Sequence, residues 1–507
     1  MVRQTASPPR NSWQASNRTT ARQLARRLAP SIGLVPGLVA HLERVYLDTV
    51  DWRLFASGQI LVDEDDRAAG RSLLLQSRAS DRSDLVVRAT SRPRVAAELP
   101  GGLRSRLADV VGTRALVEVA HEHAEVWPLR MIDADGKTVA RLDVERVECE
   151  SAPAIVRVHL RAVRGYTGVA RRMRSALDAQ ADLTPAAESV VFAGRAAGIE
   201  PGNDRRPPPL RLERSSPAVA ALAAVLAHQL DTLIACEAGV RRGLDPELLH
   251  DFRIAVRRTR SIVRLARSHL SQDLAKVWEG EWDWLATITS TPRDLDVLLE
   301  EIDAARLVFP AESKRGLDEL EELIRERRIA AQAALSAALA GDRYGTLKRG
   351  WRVGIADFGT SESGDHTAEE LAGELVAKAM KQLLQRAQGI TVDSEADAIH
   401  DVRKRTKRLR YTLELFDSVL GRRTVKTYQR ATKRLQDELG AFQDNVVYHQ
   451  RVTQLLDDSP ALAAEGVAVA RELVGHFDEK NAAARLELPA QVQRFVTEMS
   501  VTSHRRP

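Results

Sequence analysis

The sequence predicts two unlike domains, an α+β domain followed by an all-α domain. Three observations carry this. Short β-like runs (LVVRAT, KTVARLDVERVE and AIVRVHL) crowd residues 40–165. Three consecutive prolines follow at Pro207, Pro208 and Pro209. From Ala218 to about Thr497 the chain is rich in Ala, Leu, Arg and Glu, with the apolar periodicity of helices.

The bulk properties agree. A chain of 507 residues exceeds what one ordinary core organises. Its hydrophobic fraction of 44% and charged fraction of 29% are those of a folded protein. Cys149 and Cys236 offer neither a disulfide framework nor metal-ligand spacing, so a reducing cytosol is the expected home. The first residues lack the apolar centre of a secretory signal, and the longest apolar runs, such as 218–227, fall far short of the roughly 20 residues that span a bilayer. No membrane segment is expected. The net charge of +5 is modest, so what matters is where the basic residues sit.

Taken in order, residues 1–39 read as a polar, flexible segment. Residues 40–199 read as the α+β domain, with turn signals at Gly101-Gly102 and Asp135-Gly136 and a helix from about Thr167 to Ala181. Residues 200–217 form a proline-rich linker. Residues 218–497 form the helical domain, interrupted around 360–367 and 389–393, and 498–507 are a tail.

The helical domain repeats itself. HDFRIAVRRTR from His250 aligns with HDVRKRTKRLR from His400 at an offset of 150, and Leu285 and Asp294 keep that register with Leu435 and Asp444. Two halves, each a small bundle, should be related by a pseudo-twofold axis. Each repeat opens on a helix start: Asp245-Pro246-Glu247 supplies an N-cap, a first-turn proline and an acid, and Ser394 to Asp397 resembles a capping box.

At about 100° per residue, His250, Arg253, Arg257, Arg260, Arg264 and Arg267 line up as one stripe. His400, Arg403, Lys407 and Arg410 repeat it, but Glu414 and Asp417 continue the second stripe with opposite sign. Arg258 and Arg408, also matched, are secondary candidates. Stacked like charges destabilise a helix and call for an anion. Arginine offers forked donors to phosphate oxygens, lysine a point charge, and histidine a hydrogen bond strengthened by protonation. A solvated helix face would account for one such stripe, but its repetition at a fixed offset speaks for a binding surface. Polyphosphate, RNA, DNA or nucleotides fit at this level. The His-Asp pairs do not read as a metal site, because neighbouring guanidinium groups would repel the ion and no further ligands are suitably spaced. No metal or cofactor is expected.

The doubled pattern, with TPRDLDV and LGAFQDN downstream, resembles the CHAD family (conserved histidine α-helical domain) over about Ala218 to Thr497. The resemblance implies two four-helix bundles around a basic channel that binds long inorganic polyphosphate, often on polyphosphate granules. Gln443 stands where the first copy has Arg293, so the two halves need not bind equally.

YLDTVDWRLFASGQILVDEDD, from Tyr46, is similar to the signature of the CYTH fold, a β-tunnel that hydrolyses triphosphates with a divalent metal, and a weaker resemblance runs to about Ile199. The family's ExExK strand is missing, and Glu43 stands alone. Asp63 to Asp66 replace an expected Arg-x-Arg, and Arg157 to Arg161 replace paired carboxylates. A degenerate, noncatalytic CYTH-like domain is therefore expected. The enzymatic rival is a metal-dependent triphosphatase or polyphosphatase using Asp143, Glu145 and scattered arginines. The other alternative, binding to a nucleic-acid backbone, is disfavoured by an aromatic content of 4% and by stripes without interleaved aromatics.

Overall fold

The computed structural model describes residues 11–504 except 17, 79–82, 204–205, 271, 361–364 and 460–461. The chain divides into two compact units between Arg205 and Arg206.

The first unit is built on one antiparallel sheet. Its strands are β1 (Ser12–Ala15), β2 (Val35–Pro36), β3 (Ala40–Asp48), β4 (Gln59–Asp66), β5 (Gly70–Ser77), β6 (Ser83–Arg88), β7 (Val117–Ile132), β8 (Thr138–Cys149), β9 (Ala152–Ala162) and β10 (Leu183–Pro185). They run in the order β10-β1-β9-β8-β7-β3-β4-β5-β6, with β2 on β7. Helices α1 (Ala21–Ser31), α2 (Arg53–Ala56), α3 (Gly101–Val111), α4 (Thr167–Asp178) and α5 (Ser189–Ala196) accompany the sheet. The expectation of a flexible segment over 1–39 is corrected where the chain is described. Strand β1 pairs with β9 and β10, and α1 buries Leu24 and Leu28 in a core with Trp13, Leu142 and Leu177. The reason lies in ARQLARRLAP: its arginines are outward, and its alanines and leucines share one face. Residues 1–10 lie outside the described part.

The second unit is helical: α6 (Ala218–Arg242), α7 (Pro246–Leu265), α8 (Gln272–Ile288), α9 (Ser290–Val308), α10 (Lys314–Ala340), α11 (Asp342–Gly359), α12 (Ala368–Ala387), α13 (Ala396–Leu415), α14 (Arg422–Asp457) and α15 (Ala464–His504). The repeat is visible in the helix starts. Ala218 and Ala368, Pro246 and Ala396, Gln272 and Arg422, and Lys314 and Ala464 are all 150 residues apart. The symmetry reaches single bonds: Ala218 N–H donates to the His366 carbonyl at 2.9 Å, and Ala368 N–H to the Ser216 carbonyl at 2.8 Å. Helix α14 is unbroken where the first half splits into α8 and α9. Pro292 has no N–H to continue the ladder, whereas its counterpart Phe442 does.

Helix α6 is long and apolar enough, by composition, to cross a membrane. Leu222, Val225, Leu226, Leu230 and Leu233 are nevertheless buried, and the helix packs against α7, α10, α11 and α12 as a core helix.

Candidate functional site

Helices α7 and α13 pack against each other and carry the two stripes. Asp245 caps α7 as expected, its side chain accepting from Glu247 N–H at 2.9 Å. The capping box expected at α13 is corrected: Glu395 is the N-cap and makes no side-chain cap bond, while the Ser394 hydroxyl accepts from Thr391 N–H instead. Phe252, Val256, Thr259, Ile262 and Val263 bury one face of α7, and Ile399, Val402, Thr406, Leu409 and Leu413 bury one face of α13. The basic faces that remain border a cavity of about 300 Å³.

Arg257, Arg260, Ser261 and Arg264 line the cavity from α7, and His400, Arg403, Lys404, Lys407, Arg408 and Tyr411 line it from α13. The two stripes thus meet in one cleft within the helical unit. His250, Arg253, Arg258 and Arg410 are not part of its lining. Lys404 was not singled out from the sequence, although its spacing of four from both His400 and Arg408 places it on their face.

Three cations form the electrostatic centre. Arg257 on α7 repels Arg403 and Lys407 on α13. Burial, Arg403 and Arg257 together lower the Lys407 pKa to about 7, against the pull of Asp444. Arg403 donates to Asp444 at 2.9 Å, while its Nε is buried without a partner, as is that of Arg408. Such orphaned donors are costly unless an acceptor arrives. Among the described residues neither Arg257 nor Lys407 has an ion-pair partner.

Other members of the stripes already have internal partners. Arg260 and Arg264 pair with Asp283 of α8, and Arg264 also with Glu279. Arg253 is buried and donates to the Thr289 hydroxyl at 3.2 Å where α8 ends; burial first, then Arg257, lower its pKa to about 10. Arg258 pairs with Glu414 across the helix interface, and Arg410 pairs with the same carboxylate at 3.0 Å. Arg267 lies beyond the end of α7. Asp294 is taken by Arg451 at 2.8 Å, so the two conserved-register aspartates serve different arginines.

The histidines also differ. Burial and Arg293 hold His250 down to a pKa of about 4, so it is neutral at neutral pH. The His400 Nδ1 lies 2.8 Å from the Gln443 side-chain oxygen, and burial lowers its pKa as well.

In the first unit, the charges that the sequence left in isolation come together. Arg44 donates to Glu64, Glu122 and both oxygens of Glu145, at 2.7–3.0 Å. Fully buried Arg157 donates to Glu122 at 2.9 Å. Asp63 pairs with Arg71 and Arg92, and Asp143 with Arg161. In the acidic run of β4, Asp63, Glu64 and Asp65 are therefore ion-paired and Asp66 accepts from the Ala68 N–H, while Glu145, which burial alone would push up, is held below its ordinary pKa by Arg44, His159 and Arg157 together. No group of three or more His, Cys, Asp or Glu able to hold a metal occurs among the described residues.

Residues 224–453 match the CHAD domain family model. The crystal structure of the CHAD domain from the plant Ricinus communis matches at 27% identity and a TM-score of 0.50, covering 57% of this chain and 96% of that chain. PptA from Streptomyces chartreusis matches at 15% identity and a TM-score of 0.44, covering 55% of this chain and 100% of that one, a likeness too weak to bear on function. No curated protein matches the chain. With the offset-150 helices and the family match in agreement, the chain carries a CHAD domain, preceded by a β domain consistent with a CYTH-like tunnel.

Proposed function

We propose that the cleft between α7 and α13 binds inorganic polyphosphate and that the protein acts as a binding protein rather than an enzyme. One observation carries the reading: Arg257, Arg403 and Lys407 converge from two helices, and Arg257 and Lys407 have no internal carboxylate pair among the described residues. A phosphate chain supplies the missing negative charge along the direction of the stripes and offers acceptors to the orphaned Arg403 and Arg408 nitrogens. Polyphosphate fits better than nucleic acid because the one aromatic in the cleft, Tyr411, is buried and close to Arg258 and Arg410, leaving no stacking platform. Granules of polyphosphate in the cytosol are the corresponding location.

The first unit is read as noncatalytic. Its candidate metal ligands, Asp143 and Glu145, are held by Arg161 and Arg44, so a metal would have to displace two ion pairs, of which that of Glu145 is buried.

The test is a competition assay with the full chain at physiological salt, using polyphosphate, tripolyphosphate, RNA and DNA. Preference for polyphosphate, with affinity falling steeply as salt rises, is expected. Equal or better binding of RNA or DNA would overturn the reading. Magnesium- or manganese-dependent phosphate release that disappears with Glu145→Gln would overturn the noncatalytic assignment.

A further inference from the structure

The cleft is less symmetric than the fold. Under the 150-residue offset, Arg258 corresponds to Arg408 and Arg264 to Glu414. Two facing pairs should follow from the pseudo-twofold axis, one of Arg264 with Arg408 and one of Arg258 with residue 414. The first is present as a repulsion, with Arg264 helping to lower the Arg408 pKa after burial and Arg405. The second is inverted. Glu414 stands where symmetry asks for an arginine: one of its oxygens accepts a hydrogen bond from Arg258 of the opposite helix, and the other forms an ion pair with Arg410 of its own helix, whose Nε makes no hydrogen bond.

The cavity follows the same asymmetry. It extends along α13 as far as His400, whereas on α7 its lining begins at Arg257, past His250 and Arg253. The Arg258–Glu414–Arg410 cluster lies on the side that the cavity omits, with the Arg258 and Arg410 guanidinium groups 5.7 and 5.5 Å from the Tyr411 ring centroid.

We propose that the Glu414 carboxylate occupies an anion subsite formed by Arg258 and Arg410, so that it stands in for one phosphoryl group and confines polyphosphate to the half of the cleft that leads to His400. This rests on the polyphosphate reading and goes beyond it, since it names a specificity-determining residue and a chain-length limit. A carboxylate and a phosphoryl group compete for the same forked donors. The internal one has the advantage of being covalently attached. The first half-site is thereby closed, and a phosphate chain is engaged by a short stretch instead of along both stripes.

The experiment compares the wild type with Glu414→Gln and Glu414→Met in the full chain, using tripolyphosphate and long polyphosphate as probes. In the wild type, affinity per chain should change little once the chain is long enough to fill the open half. Releasing the Arg258 donor and the Arg410 charge should strengthen long-chain binding at least about tenfold in Glu414→Gln. The salt dependence should become steeper because more phosphates are neutralised, and tripolyphosphate affinity should change much less. Circular dichroism and thermal melting check folding, and the methionine variant keeps the test open if glutamine still occupies the subsite. Unchanged or weaker long-chain binding in folded variants of both kinds overturns the subsite. A wild type that binds no polyphosphate overturns the underlying reading instead.

Discussion

Lys407 is the residue at which stability and binding should pull in opposite directions. Burial, Arg403 and Arg257 lower its pKa from 10.5 to about 7. In the unfolded chain the amine titrates near its ordinary value, so between about pH 7 and 10 the unfolded state holds more protons and stability rises with pH. Below about pH 7 both states hold the proton, and the destabilisation is at full size. At about 1.4 kcal/mol per pH unit this amounts to at most on the order of 5 kcal/mol, which is large beside a typical total of about 5–15 kcal/mol. Lys407→Met removes the charge and keeps most of the apolar stem. The variant should be more stable than the wild type at pH 6–7 by up to a few kcal/mol, and the difference should shrink towards pH 10. The same change should weaken polyphosphate binding by about 1.5–3 kcal/mol, the loss of one charge-assisted contact. Urea denaturation of both proteins from pH 6 to 10, followed by helical circular dichroism, measures the first effect, and titration with polyphosphate at pH 7 measures the second. A variant less stable than the wild type at pH 6–7, or a stability difference independent of pH, would refute the account of Lys407 as an uncompensated cation awaiting an anion.

Three further outcomes follow from the geometry. Wild-type affinity should fall as pH rises from 7 to 10, because binding must then return a proton to Lys407, and calorimetry in buffers of different ionisation enthalpy should register that uptake. Arg257→Gln and Lys407→Gln should each weaken long-chain binding and show coupling in a double-mutant cycle, since both face one cleft and neither has an ion pair among the described residues, whereas Arg260→Gln with Arg264→Gln should cost less, Asp283 and Glu279 already neutralising them; equal losses from the two pairs would contradict the assignment. Arg44→Met should destabilise the first unit by about 3–5 kcal/mol by stranding Glu145 and Glu122 in the interior, and a melting curve like that of the wild type would count against a structural network.

Much of this architecture was legible in the sequence. Helical periodicity and the proline triplet separated an α+β region from an all-α one. The offset of 150 gave the duplication that reappears in helix starts and in the reciprocal bonds at Ala218 and Ala368. Periodicity also placed Arg257, Arg403 and Lys407 on basic faces, because a helix turns by a fixed angle per residue. The same reasoning missed α1 and β1, whose short apolar signals acquire meaning only against β9 and the core around Leu142.

The repeat, its helices and the sign of the charge along each face are local properties of the chain and can be read from residue order alone. Tertiary structure alone decided which of those charges remain available. Arg257 and Arg260 are neighbours on one stripe, yet Asp283 of α8 reaches Arg260, and the described residues offer Arg257 no such pair. Arg253 and Arg403 occupy equivalent positions, yet one is buried against Thr289 at a helix break and the other meets Asp444 beside the cleft. Whether a charge is spent on an internal partner depends on segments far apart in sequence that only packing brings within a few ångströms, and Coulomb energy and desolvation are settled at that distance.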